Sequence, residues 1–284
     1  MKLGLILEGG ASRTLYSCGV QDALLEEQVI ADYVLGVSAG ISLGISYVSG
    51  QIGRSLEIAQ KYMKDPRYMG ARHLFDRNNR SYYNIPFAFG EVTEHLVPFD
   101  YEAFENFPGE VMVVVTNIHT GKAEYLKINR EDHELKELVA TCALPILFQP
   151  VKLGRHYYID GGIADSIPYK KAMEDGCDKV LVILTRERGY EKKTDSSTKA
   201  TAKLYRRYPK IAERILGRAE DYNKSIKDLN KLEQEGKVFV IAPKSTMGVG
   251  RTERDPILLE KLYRAGLEEG REQMSALKQY LANS

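Results

Sequence analysis

The chain has 284 residues, with 40 Lys and Arg against 39 Asp and Glu, for a formal net charge of +1. That balance provides no general attraction to polyanions, so we expect no nucleic-acid partner. Hydrophobic residues make up 43% of the chain, enough for one large domain or one domain with an appendage.

The cysteines and the apolar segments further limit the class of protein that the sequence can encode. Cys18, Cys142 and Cys177 are odd in number and widely spaced, which predicts reduced thiols and no metal site. No loop alternates carboxylates at calcium-binding spacing, and nothing indicates a cofactor. The first apolar segment is interrupted at Glu8, too early for a signal peptide, and no apolar stretch is long enough to span a bilayer. We expect a cytoplasmic protein, with peripheral membrane contact as an option.

The chain begins with an apolar run, Leu3–Leu7, followed by Glu-Gly-Gly-Ala-Ser-Arg-Thr at residues 8–14 and then a helical pattern. A glycine-rich link from strand to helix exposes backbone N–H groups where negative charge is favoured. Such a loop can hold a phosphate or the oxyanion of an ester under attack. The phosphate alternative lacks a Gly-Lys-Ser/Thr triplet and Gly-x-Gly-x-x-Gly spacing. The oxyanion interpretation is therefore preferred, and a purely structural turn stays open.

The second motif is Gly36-Val37-Ser38-Ala39-Gly40, between the apolar run 33–35 and a small-residue helix predicted at 39–49. A serine between glycines at a strand-to-helix turn is typical of a nucleophile elbow. Gly36 and Gly40 remove side chains that the sharp turn cannot accommodate. The alternative is a tight turn with a buried serine.

Residues 66–108 stand outside the regular pattern and are rich in aromatic side chains. A mobile apolar lid over Ser38 would hold an acyl chain and exclude water. Plain packing against the sheet explains the same composition, so both interpretations stay open.

A third motif, Asp160-Gly161-Gly162, follows the short apolar and aromatic run 157–159. Together, the glycine-rich loop, the serine elbow and the Asp-Gly-Gly segment resemble the patatin-like phospholipase family, in the family's order. The resemblance covers roughly residues 3–185 and includes the approach to Asp160 at residues 143–151.

The resemblance implies a Ser–Asp dyad, with Ser38 as nucleophile and Asp160 as base. Asp160 should be partly desolvated, since an ordinary aspartate is a weak base. The implied substrates are lipid esters, phospholipid or lysophospholipid, with no cofactor and no metal. The implied oxyanion donors and supporting residues are Gly9, Gly10 and Ala11, and Arg13, Gly36, Gly40, Gly161 and Gly162. Arg13 would steady the loop, meet a lipid phosphate or form a surface ion pair.

Four positions depart from the family pattern, and they bear on substrate preference and rate. Ala11 and Thr14 replace glycines, and the Cβ of Ala11 disfavours positive φ. Glu8 stands where Asp is common, and Asp165 where Asn is frequent.

A Ser-His-Asp triad is the mechanistic alternative. Hydrolases with this elbow place their acid and then their histidine after the nucleophile. None of the five histidines follows Asp160, so a triad would need Asp100 or Asp132 with His133 or His156. The dyad is preferred. The functional alternative is a catalytically weak lipid-binding or regulatory protein that retains the pocket.

The later part of the chain contains a basic amphipathic segment, predicted as a helix through residues 203–218. Its cationic face could rest on anionic lipid headgroups. A solvated face on a helix packed by its apolar side is the alternative.

Periodicity predicts strands at 3–7, 33–35, 111–115, 123–127, 156–159, 179–185 and 237–242, with helices at 14–27, 39–49, 54–64, 134–142, 168–175, 200–235 and 256–282. This alternation predicts a three-layer α/β/α fold with a mainly parallel central sheet, plus a helical C-terminal part. The site should lie at the carboxyl ends of the strands. We divide the chain into a patatin-like core, 1–186, and a region 187–284 with a strand near 237–242 that returns to the sheet. Whether 190–235 is an insertion or part of a separate domain stays open.

Overall fold

The computed structural model describes residues 1–77 and 79–283. Within them lies one eight-stranded sheet with helices on both faces. Its strands are β1 (Leu3–Leu7), β2 (Tyr33–Val37), β3 (Glu110–Asn117), β4 (Ala123–Lys127), β5 (Val151–Leu153), β6 (His156–Asp160), β7 (Lys179–Ile183) and β8 (Val238–Ile241).

The strand order is β5-β6-β3-β2-β1-β7-β8, and β4 pairs with β3 outside this path. Strands β3, β2, β1, β7 and β8 are parallel, whereas β4, β5 and β6 run antiparallel to their neighbours. Every residue of β1 and β2 is buried, as expected for central strands covered on both faces. The predicted three-layer architecture is confirmed, with a mixed sheet whose central strands are parallel.

The helices are α1 (Thr14–Glu26), α2 (Ala39–Val48), α3 (Arg54–Lys61), a π-helix (Pro86–Leu96), α4 (Tyr101–Glu105), α5 (Lys136–Thr141), α6 (Tyr169–Glu174), α7 (Ser196–Leu204), α8 (Pro209–Gln234) and α9 (Pro256–Ala282). Short 3₁₀ turns occupy Ala11–Arg13, Ala71–Phe75 and Gly161–Ile163. In the described residues no helix combines the length and apolarity needed to cross a membrane.

Two hydrophobic layers cover the sheet. One includes Leu15 of α1, Ile41 of α2 and Leu262 of α9, and the other includes Tyr169 of α6 and Leu229 of α8. The crossing of α1 and α9 is especially close: a Cβ built on Gly19 would lie 2.1 Å from the Tyr263 carbonyl oxygen. A larger side chain at that position would force the two helices apart.

Most predicted elements are present, with shifted ends. The helix expected over 200–235 is wrong as a single element, because α7 ends at Leu204 and α8 begins at Pro209. Proline lacks the N–H that a continuing helix needs, and it disfavours helical geometry at the preceding residue. Tyr208 accordingly has ψ of 75°. The basic segment 203–218 therefore spans a turn between two helices.

The C-terminal region is joined to the core through the sheet. Strand β8 pairs in parallel with β7, from Val180↔Val238 to Ile183↔Ile241, so the returning strand is present. Helix α9 packs on α1, as described above. The domain boundary at residue 186 stays a prediction.

Residues 66–108 contribute largely to the core. Phe87, Phe99, Phe104 and Phe107 are buried in it, and Tyr83 stacks on Phe148 with ring centroids 5.6 Å apart. Packing thus accounts for most of the aromatic residues, and the motion of this segment stays a prediction.

Candidate active site

Ser38 occupies the sharp turn between β2 and α2. Its φ of 53° and ψ of −135° lie in a region that costs a non-glycine residue roughly 1–3 kcal/mol. The flanking glycines make the turn possible: a Cβ on Gly36 would lie 2.6 Å from the Ile41 Cβ, and one on Gly40 would lie 2.6 Å from the Glu8 carbonyl oxygen. The chain therefore holds Ser38 at the carboxyl end of β2, in the strand–turn–helix context that the motif predicts.

Sheet register brings Asp160 to the same point. Strand β2 pairs with β3 as far as Val37↔Val114, and β6 pairs with β3 from Val115↔Asp160 onward. Because β4 occupies the other edge of β3, β6 continues the line of β2. The last residue of β6 therefore lies directly beyond the serine turn. There the Asp160 carboxylate accepts a hydrogen bond from the Gly162 N–H at 2.8 Å, and the Ser38 hydroxyl lies near enough to lower the pKa of the carboxyl.

Backbone contacts fix both residues in place. The Ser38 N–H donates to the Thr141 hydroxyl at 2.8 Å, and the Asp160 N–H donates to the Ala143 carbonyl at 2.9 Å. Thr116 donates its hydroxyl proton to the Asp160 carbonyl at 2.8 Å. The Ser38 N–H is thus already bonded, and other N–H groups must serve any oxyanion.

The environment of Asp160 makes it a stronger base than a surface aspartate. The residue is only 2% exposed, and this burial raises its pKa. The nearby Arg218 guanidinium, the Ser38 hydroxyl and the hydrogen bond from the Gly162 N–H lower the pKa again without cancelling the rise. The desolvated carboxyl that a base at this position needs is therefore present.

Arg218 provides a test of this electrostatic balance. Replacing it by glutamine removes the largest influence that lowers the Asp160 pKa, so that pKa should rise further. We expect the acidic limb of kcat/KM, where Asp160 becomes protonated, to move to higher pH in this variant. Arg218→Lys retains the charge and should restore most of the wild-type profile. An acidic limb at the wild-type pH in Arg218→Gln would show that Arg218 does not influence the titration of Asp160.

The glycine-rich loop lies against the serine turn. A Cβ on Gly9 would stand 3.0 Å from the Ser38 Cβ and 2.9 Å from the Val37 carbonyl oxygen. Within residues 1–77 and 79–283, the backbone N–H groups of Gly9, Gly10 and Ala11 have no hydrogen-bond acceptor. Donors that lie beside the serine with no partner are suited to a developing negative charge.

Ala11 adopts the conformation that its Cβ disfavours, with φ of 50°. Ala11→Gly removes this strain at some entropic cost in the unfolded chain. We expect the variant to be more stable by up to about 1 kcal/mol, measured by denaturant unfolding. A loss of stability would show that the loop is not strained at this residue.

Arg13 follows on the 3₁₀ turn and is only 8% exposed. It forms no ion pair among the described residues, and its Nε has no hydrogen-bond partner there. Burial, reinforced by Arg186 and Arg251, lowers its pKa to about 10. The surface ion pair considered from the sequence is therefore not formed.

Two cavities meet at Ser38. One is apolar, about 60 Å³ in volume, and is lined by Leu43, Met63, Tyr68, Tyr83, Phe89 and Phe148, among others. The other is polar and about 350 Å³, and it is bounded by the glycine-rich loop, Asp160 and several basic side chains. Ser38 lies at their boundary, where an ester with an apolar arm and a polar arm would present its carbonyl.

The histidines lie elsewhere. None of the described residues that line the two cavities is a histidine. His133 stacks on Tyr101 and contacts Glu105 at 2.9 Å, and His156 is exposed at the far end of β6. Asp100 caps α4 through the Ala103 N–H. The structure does not bring the residues of the alternative triad to Ser38.

Several residues at the site were not singled out as site residues from the sequence. Arg218 appeared there only as part of a basic helix, whereas it donates to the Gly162 carbonyl and faces Asp160. Thr141, which binds the Ser38 N–H, carried no signal. Neither residue belongs to a local motif, and only the tertiary fold brings them together.

A mixed sheet flanked by helices, a serine at a strand-to-helix turn and a buried aspartate beside it are features of the lipid acyl hydrolase class. Residues 5–173 match the family model described as patatin-like phospholipase, which is more than half of the chain. The chain belongs to the patatin-like phospholipase family. Residues 208–282 match a second model, a domain of unknown function (DUF6363).

Relatives share the core at modest identity. The uncharacterized protein YjjU of Escherichia coli is 26% identical over 201 residues, which are 65% of this chain and 52% of that protein. The uncharacterized NTE family protein Mb2594 of Mycobacterium bovis is 26% identical over 187 residues, 64% of this chain and 30% of that protein. The crystal structure of VipD from Legionella pneumophila is similar with a TM-score of 0.49 and 13% identity, over 97% of this chain and 67% of that one. The matches span about half of YjjU and less than a third of Mb2594.

Proposed function

We propose that this protein is a serine acyl hydrolase that cleaves carboxylic esters of lipids, phospholipids or lysophospholipids, through Ser38 and Asp160. The observation that carries the proposal is the placement of Ser38 beside the buried Asp160 carboxyl: both line one cavity, and the Ser38 hydroxyl lies near enough to lower the pKa of that carboxyl. The N–H groups of the glycine-rich loop, which have no acceptor in the described part of the chain, support the same chemistry.

In the first half of the reaction, Asp160 accepts the Ser38 proton as the oxygen attacks the acyl carbonyl. The resulting oxyanion is stabilised by the N–H groups of Gly9, Gly10 and Ala11. Each such donor contributes about 3–4 kcal/mol to lowering the barrier in other hydrolases. The alcohol then leaves with the proton held by Asp160, and an acyl-enzyme ester on Ser38 remains.

In the second half, Asp160 accepts a proton from water, and the hydroxide attacks the acyl-enzyme carbonyl. The same donors stabilise the second oxyanion. Its collapse returns the proton to Ser38 and releases the fatty acid. The cycle needs no cofactor, and no cluster of three or more candidate metal ligands occurs among the described residues.

The apolar cavity is the proposed acyl site. Its volume of about 60 Å³ is well below the roughly 300–1,000 Å³ of typical ligand pockets. A long acyl chain therefore enters only if Tyr68, Tyr83 and Phe89 move, and all three belong to segment 66–108. This need for motion supports the proposal that the segment acts as a lid.

A substrate panel distinguishes the proposed hydrolase from the alternative, a lipid-binding or regulatory protein with little activity. We expect the wild-type protein to release free fatty acid from at least one class among neutral esters, phospholipids and lysophospholipids. Fatty-acid release and lipid binding are both measured on the same protein preparation. Saturable lipid binding without release from any class would favour the alternative.

We also propose peripheral membrane contact through the turn between α7 and α8. Leu204 is 67% exposed, Tyr208 and Leu216 are exposed nearby, and four exposed basic side chains surround them: Lys203, Arg206, Arg207 and Lys210. Apolar tips within a cationic surface are suited to an anionic headgroup layer.

The salt dependence of vesicle binding tests this contact. Binding to vesicles that contain anionic phospholipid should weaken several-fold as sodium chloride rises from about 0.05 to 0.5 M, because screening removes the attraction. Sedimentation with vesicles measures the bound fraction, and the variant Arg206→Gln/Arg207→Gln should bind less at low salt. Salt-independent sedimentation would contradict the proposal.

A further inference from the structure

The polar cavity beside Ser38 is strongly cationic. Six basic side chains line it: Arg13, Arg186, Lys192, Lys193, Arg218 and Arg251. They come from four separate parts of the chain: the glycine-rich loop, the segment after β7, helix α8 and the loop after β8. The fold thus gathers charges that are far apart in sequence around one space of about 350 Å³.

The acidic side chains at the cavity do not neutralise these cations. Three carboxylates line it, and each is already engaged. Glu8 accepts from the Thr185 N–H at 2.6 Å, Asp195 accepts from the Thr198 N–H at 2.8 Å, and Asp160 accepts from the Gly162 N–H at 2.8 Å. Within the described part of the chain, none of the six basic groups forms an ion pair with a carboxylate. The cavity therefore keeps an excess of positive charge.

Burial and the crowding of positive charge lower the pKa of two of these side chains. Burial and the neighbouring Arg218 and Arg251 lower the pKa of Lys192 to about 7. Burial, Arg186 and Arg251 likewise lower the pKa of Arg13, whose Nε has no hydrogen-bond partner among the described residues. Holding like charges together in a partly desolvated space is unfavourable unless an anion binds between them.

We propose that this cavity binds the phosphate of an anionic substrate headgroup and prefers a phosphomonoester to a zwitterionic phosphocholine. The proposal rests on the proposed function and specifies the substrate of the same site. A phosphomonoester brings nearly two negative charges and three acceptor oxygens, whereas choline would add a cation to a positive field. With the acyl arm in the apolar cavity and the phosphate in the cationic one, the ester carbonyl lies at Ser38.

A binding arm tests the site without requiring catalysis. Pyrophosphate, a free phosphate probe, should raise the melting temperature of wild-type protein by about 2 °C or more relative to sodium chloride at equal ionic strength. The variant Arg186→Gln/Arg251→Gln should lose most of this shift. Arg254→Gln, a single substitution on the loop that carries Arg251 but outside the cavity lining, should retain it.

A kinetic arm tests whether the site serves the lipid headgroup. With monomeric short-chain substrates of matched acyl length, kcat/KM should favour the acylglycerol phosphate over the lysophosphatidylcholine. The ratio should fall about tenfold or more in the double variant, as expected when charge-assisted hydrogen bonds to phosphate are lost. It should stay near the wild-type value in Arg254→Gln.

The outcomes separate the proposals. No pyrophosphate shift, or a full shift in the double variant, would overturn the anion site whether or not the protein hydrolyses esters. A normal shift with a kcat/KM ratio that favours the zwitterion would overturn the headgroup assignment, leaving a site for free phosphate. Loss of all hydrolysis with an intact shift would count against the proposed function alone.

Discussion

Ser38→Ala is expected to lower kcat for ester hydrolysis by at least about 10⁵-fold, the scale seen when a hydrolase loses its nucleophile. Alanine cannot form the acyl-enzyme, and only slow attack by water next to the free N–H groups of the loop remains. The backbone should tolerate the change, because serine and alanine experience the same strain at φ of 53°. Initial rates on a monomeric ester, with thermal unfolding of the same samples, measure both effects.

Ser49→Ala is the matched control, since it removes a serine hydroxyl at the far end of the same helix, where the group bonds to the Ser46 carbonyl. It should retain turnover close to wild type. Turnover within tenfold of wild type in Ser38→Ala would exclude Ser38 as the nucleophile.

Asp160→Asn is expected to lower turnover by about 10³–10⁴-fold, because the amide cannot accept the Ser38 proton. The free energy of unfolding, in contrast to turnover, should increase. The folded pKa of Asp160 lies above its unfolded value, so its contribution to stability is present below about pH 4 and is lost as pH rises through the folded pKa. The asparagine variant, which does not titrate, should therefore gain stability relative to wild type between pH 4 and pH 8.

Thermal unfolding at the two pH values measures this gain, and initial rates measure the loss of turnover. Asp165→Asn is the control: Asp165 is also a carboxylate whose burial raises its pKa, but it bonds to the Tyr125 hydroxyl and does not line the cavity. It should retain activity. Wild-type turnover in Asp160→Asn would remove Asp160 from the mechanism.

The parts of the site that sequence predicts best are the ones built from adjacent residues. Gly36 is needed because of a contact within one turn, where a Cβ would lie 2.6 Å from the Ile41 Cβ. The strands β1 and β2 are continuous apolar runs because both of their faces are covered. Local chemistry and burial decide these features, so the residues themselves carry the information.

Features that depend on distant pairing could not be read in the same way. Strand β5 has three residues, too few to establish a periodic pattern, and it exists because it pairs with β6. The placement of Asp160 follows from the register of β6 on β3, which no local motif encodes. Arg218 and Arg251 reach the cavity only because α8 and the loop after β8 return to the sheet. Their spacing along the chain indicates nothing beyond surface charge.

Labelling with a fluorophosphonate, followed by mass spectrometry of the intact protein and its peptides, tests the central claim most directly. The reagent needs an activated serine oxygen and neighbouring donors for its phosphoryl oxygen, but no particular lipid. We predict one adduct per chain on Ser38, absent in Ser38→Ala and formed much more slowly in Asp160→Asn. Wild-type protein that stays unlabelled while folded, or that carries its adduct on another residue, would contradict the account.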